Sequence, residues 1–202
     1  MAADPTNARD RLLAAARTLG LRVPEGLDRA PLGDVTHAVR RLALARIDAL
    51  DGHDGHKLTK GHVGCGVLPA LLALCDAEAA TSGEDFLTAL VIGYEIGTRA
   101  GIALHRTAAD YHTSGAWIAL ACAALGARVL GLDAGKTREA IGIAEYHGPR
   151  SEMMRCIDHP TMLKDGSGWG AMAGVSAAYL AADGFTGAPA LTVEQPEVAD
   201  LW

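Results

Sequence analysis

The sequence predicts an all-α domain built as a helical bundle, and three observations carry that expectation. Half of the residues are hydrophobic but only 4% are aromatic, so the core must be filled by small side chains and by closely approaching backbones. Apolar residues recur at helical spacing, as in Val39, Leu42, Ala43, Ile47 and Leu50. The runs are bracketed by helix punctuation, with Ser, Thr, Asp or Pro before them and Gly after them. At 202 residues the chain is long enough to bury a sizeable core.

Residues 1–33 read as an N-terminal helix and linker. Asp4-Pro5 places a proline near the first turn, Leu12, Leu13 and Ala16 form the apolar face, and Gly20 closes the helix before a linker, Arg22 to Gly33, with two prolines. Residues 34–187 form the main helical domain. Asp34 or Thr36 caps a second helix that ends at Gly52, and a third runs from about Gly66 to Ala80, with Pro69 tolerable only in its first turn. Ser82-Gly83-Glu84-Asp85 caps a fourth, reaching Leu104, and its acidic start suits the positive end of the helix dipole. The segment Arg106 to Ser114 breaks the pattern before an apolar helix, Gly115 to Leu130. Gly131-Leu132-Asp133 ends that helix and caps the next, Ala134 to about Tyr146.

A small-residue helix, Ala171 to Ala182, follows a glycine-rich turn. Gly93, Gly97, Gly101, Gly126, Gly135 and Gly142 lie in or beside helices at a cost of about 1 kcal/mol each against alanine, which implies that they permit close helix contact. Residues 188–202 form a C-terminal tail, in which Ala190-Leu-Thr-Val-Glu194 reads as the beginning of a strand.

Chemistry concentrates in one window, Asp51-Gly-His-Asp54-Gly-His56-Lys-Leu-Thr59-Lys60-Gly-His62. It sets carboxylates, imidazoles and ammonium groups between two apolar segments, with Leu58 its single large apolar residue. Histidine titrates near neutral pH and aspartate can orient it, so the grouping suits proton transfer or metal ligation. Two further clusters, Asp110-Tyr111-His112 and Lys164 with Ser167, also lie in loops beside helix ends. Antiparallel helices of similar length would bring such ends to one side of a bundle. Lys164 ahead of Gly166-Ser167-Gly168 sets a cation beside free backbone N–H groups, a combination that binds carboxylates or phosphates.

Other chemistries fit less well. His53, His56 and His62 with a carboxylate are the rival, a Zn or Fe site, but no helical His-Glu-x-x-His pattern fixes its geometry. Ser167 lacks the Gly-x-Ser-x-Gly elbow of a serine hydrolase. Cys65, Cys75, Cys122 and Cys156 contain no Cys-x-x-Cys pair and are expected to stay reduced, with Cys65, three residues after His62, the one beside the site. A formal charge of −6 with scattered Lys and Arg gives no basic stripe for nucleic acid. The N-terminus has no apolar signal core, and the run Trp117 to Ala127 is too short to span a bilayer. The expectation is a cytoplasmic protein with no membrane partner.

These residues resemble the MmgE/PrpD family, which includes 2-methylcitrate dehydratase, cis-aconitate decarboxylase and iminodisuccinate epimerase. The resemblance rests on Ala49-Leu-Asp51-Gly-His-Asp54-Gly-His56 with Lys60-Gly-His62-Val-Gly-Cys65, on Ser82-Gly-Glu-Asp-Phe-Leu-Thr-Ala-Leu-Val-Ile-Gly-Tyr-Glu95, and on Tyr111-His112-Thr113-Ser-Gly115. It continues through Leu130 to Ala144 and Lys164 to Gly187, in the family's order, covering about three quarters of the chain.

The resemblance implies a mostly helical domain that binds a small polycarboxylate and moves a proton alpha to a carboxylate, without metal or organic cofactor. By motif position Asp51 and His62 match the family's first acidic and histidine site residues, His112 its Gly-x-His position, and Lys164 approximates its substrate-binding lysine. Where the family follows that lysine with Leu-His, this chain has Gly166-Ser167. Family members run to roughly twice this length and close the pocket with a smaller α/β lid, so the expectation is a shortened form without that lid.

The catalytic set is then Asp51, Asp54, His62, His112 and Lys164, with His56, Tyr111, Lys60 and Ser167 binding substrate and no metal. His112 or His62 is the general base or acid, Asp51 or Asp54 its orienting partner, and Lys164 the anion anchor. The expected activity is a cofactor-independent lyase or isomerase acting on a small carboxylate or carbonyl compound. The alternatives are a repurposed cyclase or isomerase of a biosynthetic pathway, or the non-catalytic half of a split enzyme. A homodimer, or a hetero-oligomer with a lid-containing subunit, is expected to cover apolar surface.

Overall fold

The computed structural model describes residues 54–78, 82–158 and 166–202. The helices expected before Gly52, together with Asp51, His53 and Lys164, lie outside the described residues. Within them the chain is a helical bundle. The only β structure among the described residues is a two-stranded antiparallel ladder, β1 (Gly55–His56) with β2 (Gly61–His62), and one isolated bridge. Five principal helices follow: α1 (Gly64–Ala77), α2 (Gly83–Thr107), α3 (Gly115–Val129), α4 (Ala134–His147) and α6 (Gly166–Ala182). Two short helices, α5 (Met153–Asp158) and α7 (Leu191–Glu194), and a 3-10 turn at Pro196–Leu201 complete the described residues.

Helix α3 is the axis of the bundle. Every residue from Gly115 to Ala127 is buried, because α1, α2, α4 and α6 all pack around it. A helix apolar on all sides can be satisfied only in that central place. Its neighbours approach closely because their contact faces lack side chains. A Cβ on Gly174 of α6 would lie 2.6 Å from Cys122 Cβ and 2.9 Å from the Ala123 nitrogen of α3. On α2, Gly93, Gly97 and Gly101 face Val67 and Leu125, Val63 and Ala121, and Thr59 and Trp117 respectively. The expected close contacts hold there and at Gly126 and Gly142, whereas Gly135 is exposed and meets only the Asp133 side chain.

The punctuation acts largely as its chemistry predicts. Ser82 caps α2 by accepting from the Asp85 N–H (3.1 Å), and Asp133 caps α4 by accepting from the Lys136 N–H (2.8 Å). Gly131, at φ 65°, ends α3 with Leu132 N–H bonded to Ala127 O and Gly131 N–H to Arg128 O, the paired bonds of a left-handed helix stop.

Four boundaries differ from expectation. Helix α1 begins at Gly64, which puts Pro69 in its second turn. Helix α2 runs on to Thr107, and α6 begins at Gly166 rather than Ala171. Leu191–Glu194 is a helical turn rather than a strand. The reason is tertiary: the Glu145 carboxylate of α4 accepts from the Leu191 and Thr192 N–H groups (2.8 and 3.0 Å) and caps the turn from outside.

Helix α2 is long and apolar enough, by length and composition, to cross a membrane, unlike the shorter run at Trp117. In the bundle its small-residue face packs on α1 and α3. Its Arg99 donates to Leu201 O (2.7 Å) and its Arg106 pairs with Asp200 (2.5 Å), fastening the C-terminal turn alongside. Its other face carries the exposed Leu87 and Val91.

Candidate active site

The described part of the polar window is a hairpin docked on the bundle. Gly55 pairs with His62 and His56 with Gly61. Thr59, fully buried, closes the turn by donating toward His56 O (3.0 Å) and Gly61 O (3.3 Å), and it seats against Gly101. Lys60 takes φ 52°, in the left-handed region that costs a side-chain-bearing residue about 1 kcal/mol or more. Its carbonyl is held by the Tyr111 hydroxyl (2.5 Å), and its ammonium lies 5.9 Å from the centre of the Tyr111 ring. The strained residue is thus fixed by the second cluster.

Asp54 enters in two ways. Its carboxylate accepts the Gly64 N–H with both oxygens (3.0 Å each) and the Tyr94 hydroxyl, so it caps α1, whose own N-cap residue Val63 has no capping side chain. Its main-chain carbonyl meets His62 Nδ1 at 3.3 Å. A carbonyl only accepts, so the neutral His62 ring carries its proton on Nδ1 and its basic nitrogen is Nε2.

His112 is set up the same way. It is buried, with Nδ1 2.8 Å from Asp110 O, which again makes Nε2 basic. Its backbone is held in an extended pairing with the chain before α5: His112 bridges Glu152, Thr113 N–H donates to Ser151 O (2.9 Å), and Met153 N–H to Tyr111 O (2.6 Å).

Three helices begin at this place. The His62 N–H donates to Ser114 Oγ (3.2 Å), joining the start of α1 to the start of α3. Cys65 in the first turn of α1 bonds Ser167 in the first turn of α6 (Sγ to Oγ 3.2 Å). Gly115 opens α3 directly against the Gly166 carbonyl of α6. The positive dipole ends of α1, α3 and α6 therefore gather beside His62 and His112, an arrangement that favours a bound anion.

Among the described residues of the three clusters, the structure brings together His62 with Asp54 and Lys60 with Tyr111, and ties Ser167 to Cys65, three residues after His62, while Lys164 lies outside them. His56 is exposed on β1. Among the described residues no group of three or more His, Cys, Asp or Glu gathers to hold a metal. Burial pushes the Tyr111 phenol and the Cys122 thiol up.

Sequence reasoning missed His105. Its ring packs against Tyr111 (centroids 5.4 Å apart), and both ring nitrogens are buried without a hydrogen-bond partner. Burial lowers its pKa below the usual 6.5, and the nearby Lys60 and His112 charges add to that. The carbonyls of Gly101 and His112 oppose the shift without reaching hydrogen-bond geometry. Thr113 Oγ1 and Trp117 Nε1 are likewise buried and unpartnered at this end. No linear pattern singles these residues out, since their polarity matters only once the packing around them is known.

The MmgE/PrpD N-terminal domain family model matches residues 41–200. A cis-aconitate decarboxylase-like protein, oryM, of Aspergillus oryzae is 30% identical over 160 residues, covering 70% of this chain and 31% of that protein. The chain thus spans less than a third of the length of the curated relative it matches.

Proposed function

The chain belongs to the MmgE/PrpD family, and from that premise we propose a cofactor-independent lyase that moves a proton alpha to a carboxylate of a small polycarboxylic acid. A dehydratase- or decarboxylase-type function is supported at the family level by the domain match and by the decarboxylase-like relative. The observation that carries the finer reading is the meeting of three helix N-termini beside two imidazoles whose basic nitrogen is Nε2. The dipole ends suit the substrate's carboxylates, and an Nε2 lone pair suits a base.

In the dehydratase form, His62 or His112 takes the alpha proton, and the C–H electron pair delocalises into the carboxylate as an enediolate. The pair then forms the C=C bond as the beta hydroxyl leaves as water, taking the proton from the imidazolium just formed. In the decarboxylase form, the C–C bond to a carboxylate breaks first, its electron pair staying on carbon as carbon dioxide departs, and a histidine already protonated from solvent donates its proton to the carbanion. Lys164 would anchor the anion and Asp51 would steady the imidazolium, roles assigned by motif match, while Lys60, Tyr111, His56 and Ser167 bind substrate. The proposal includes assembly as a homodimer or with a lid-bearing subunit. Trp169, Met172 and Leu180, 56%, 50% and 43% exposed on one face of α6, support it.

The test is turnover of citrate-like hydroxy acids and of unsaturated tricarboxylates, followed by ultraviolet absorbance of the C=C bond and by carbon dioxide release. His62→Ala or His112→Ala should lower kcat by about 10² to 10⁴, the usual contribution of a positioned acid or base. Lys164→Ala should chiefly raise KM. Turnover indifferent to both histidines would overturn the proposal, as would activity abolished by EDTA in protein carrying stoichiometric Zn or Fe.

A further inference from the structure

We propose that Tyr94 is a positioning residue that sets the tautomer of His62 through Asp54, an inference that rests on the reading of His62 as a proton-transfer group. Tyr94 lies in the middle of α2, outside every cluster marked by the sequence, and its hydroxyl donates to Asp54 Oδ2. The same carboxylate accepts the Gly64 N–H with both oxygens at 3.0 Å. Asp54 is thereby held from two sides, by α2 through a phenol and by α1 through its first backbone donor. A held Asp54 presents its main-chain carbonyl to His62 Nδ1 at 3.3 Å.

The packing leaves little latitude. A Cβ at Gly64 would run into the Tyr94 hydroxyl and the Asp54 carboxylate, so the three groups close on a backbone that carries only hydrogen there. The hairpin alone is a weak anchor for Asp54, because β1 and β2 are two residues each. Fixing a ring's tautomer through the partner of its other nitrogen is how proteins assign imidazole roles. Loosening Asp54 weakens the acceptor that favours the Nδ1–H form, so it should shift the ring toward Nε2–H, the form that an imidazole in water prefers, and place the proton on the nitrogen that must accept one.

A purely structural role, with Asp54 serving only to cap α1, would leave the tautomer alone. The full chain labelled with ¹⁵N-histidine separates the two. Long-range ¹H–¹⁵N spectra report which ring nitrogen is protonated, and His62→Gln identifies the His62 signals. The wild type should show His62 protonated on Nδ1, and Tyr94→Phe should move the ratio of the two forms toward Nε2–H, by up to about tenfold, the factor for complete loss of the His62 hydrogen bond. Asp54→Asn, which keeps the carbonyl and an acceptor for Gly64 but weakens the phenol bond, should move it the same way and serves if Tyr94→Phe misfolds. An unchanged tautomer in both variants, or a wild-type ring protonated on Nε2, overturns the inference. The spectra need no substrate, so failure of the lyase proposal would appear separately, as absent turnover with the tautomer shift intact.

Discussion

The seam between α3 and α6 and the end of the bundle that holds His62 and His112 are built by opposite rules. The seam is made of alanine, glycine and a buried cysteine, with backbones in contact and little polar besides the helical hydrogen bonds themselves. The site end carries a lysine in the left-handed region and three residues with buried, unpartnered polar atoms, His105, Thr113 and Trp117. A buried polar group without a partner costs about 1–3 kcal/mol, so the second region holds its arrangement at a loss that the first offsets by packing. Stability and chemistry are thus spatially divided, and substitutions in the two regions should differ in sign as well as in size.

The largest effect should come from Gly174→Val. The new side chain would overlap the α3 backbone at Ala119 and Ala123 rather than a flexible side chain, so the helices would have to separate. Loss of cooperative thermal unfolding is expected, with a cost of at least about 3 kcal/mol if the variant folds at all. A Tm within a few degrees of the wild type would mean that the seam is looser than described. Next comes Leu71→Ala, which empties a fully buried site on α1 and should cost about 2–5 kcal/mol by urea denaturation.

The smallest effect has the opposite sign. His105→Phe keeps the ring stack on Tyr111 and removes two unsatisfied nitrogens, so it should be neutral or stabilising by about 1 kcal/mol. Its pH dependence sharpens the contrast. The folded His105 pKa lies below its unfolded value, so as pH falls through about 6.5 the unfolded chain takes up a proton that the folded ring refuses. Stability drops with acidification across that window in the wild type, and His105→Phe should flatten this part of the curve. An unchanged slope between pH 7 and 5, a range of about two units around the ordinary histidine pKa, would show that His105 titrates normally in the fold.

The fold was legible because its determinants are local. Helical spacing, the caps at Ser82 and Asp133 and the stop at Gly131 are read from a few adjacent residues, and each forms as its chemistry requires. The uniformly apolar run after Gly115 marked a helix in the same way, and its central place came from the packing. The tail was misread because Leu191–Glu194 is decided by Glu145, 46 residues earlier in the chain.

Clusters of acids and bases beside helix ends were legible too, and their roles, with Asp51 and Lys164 outside the described residues, remain expectations. What the sequence by itself determined is which chemistry is present and which segments are helices, because composition, capping and period act over a few residues. Only the tertiary structure decided how those groups are used: Asp54 caps α1 and turns only its carbonyl to His62, His112 is held by an isolated bridge to Glu152 before α5, and burial lowers the pKa of His105. Protonation, tautomer and hydrogen-bond partnership depend on desolvation and on neighbours tens of residues away, and those are fixed when the helices pack.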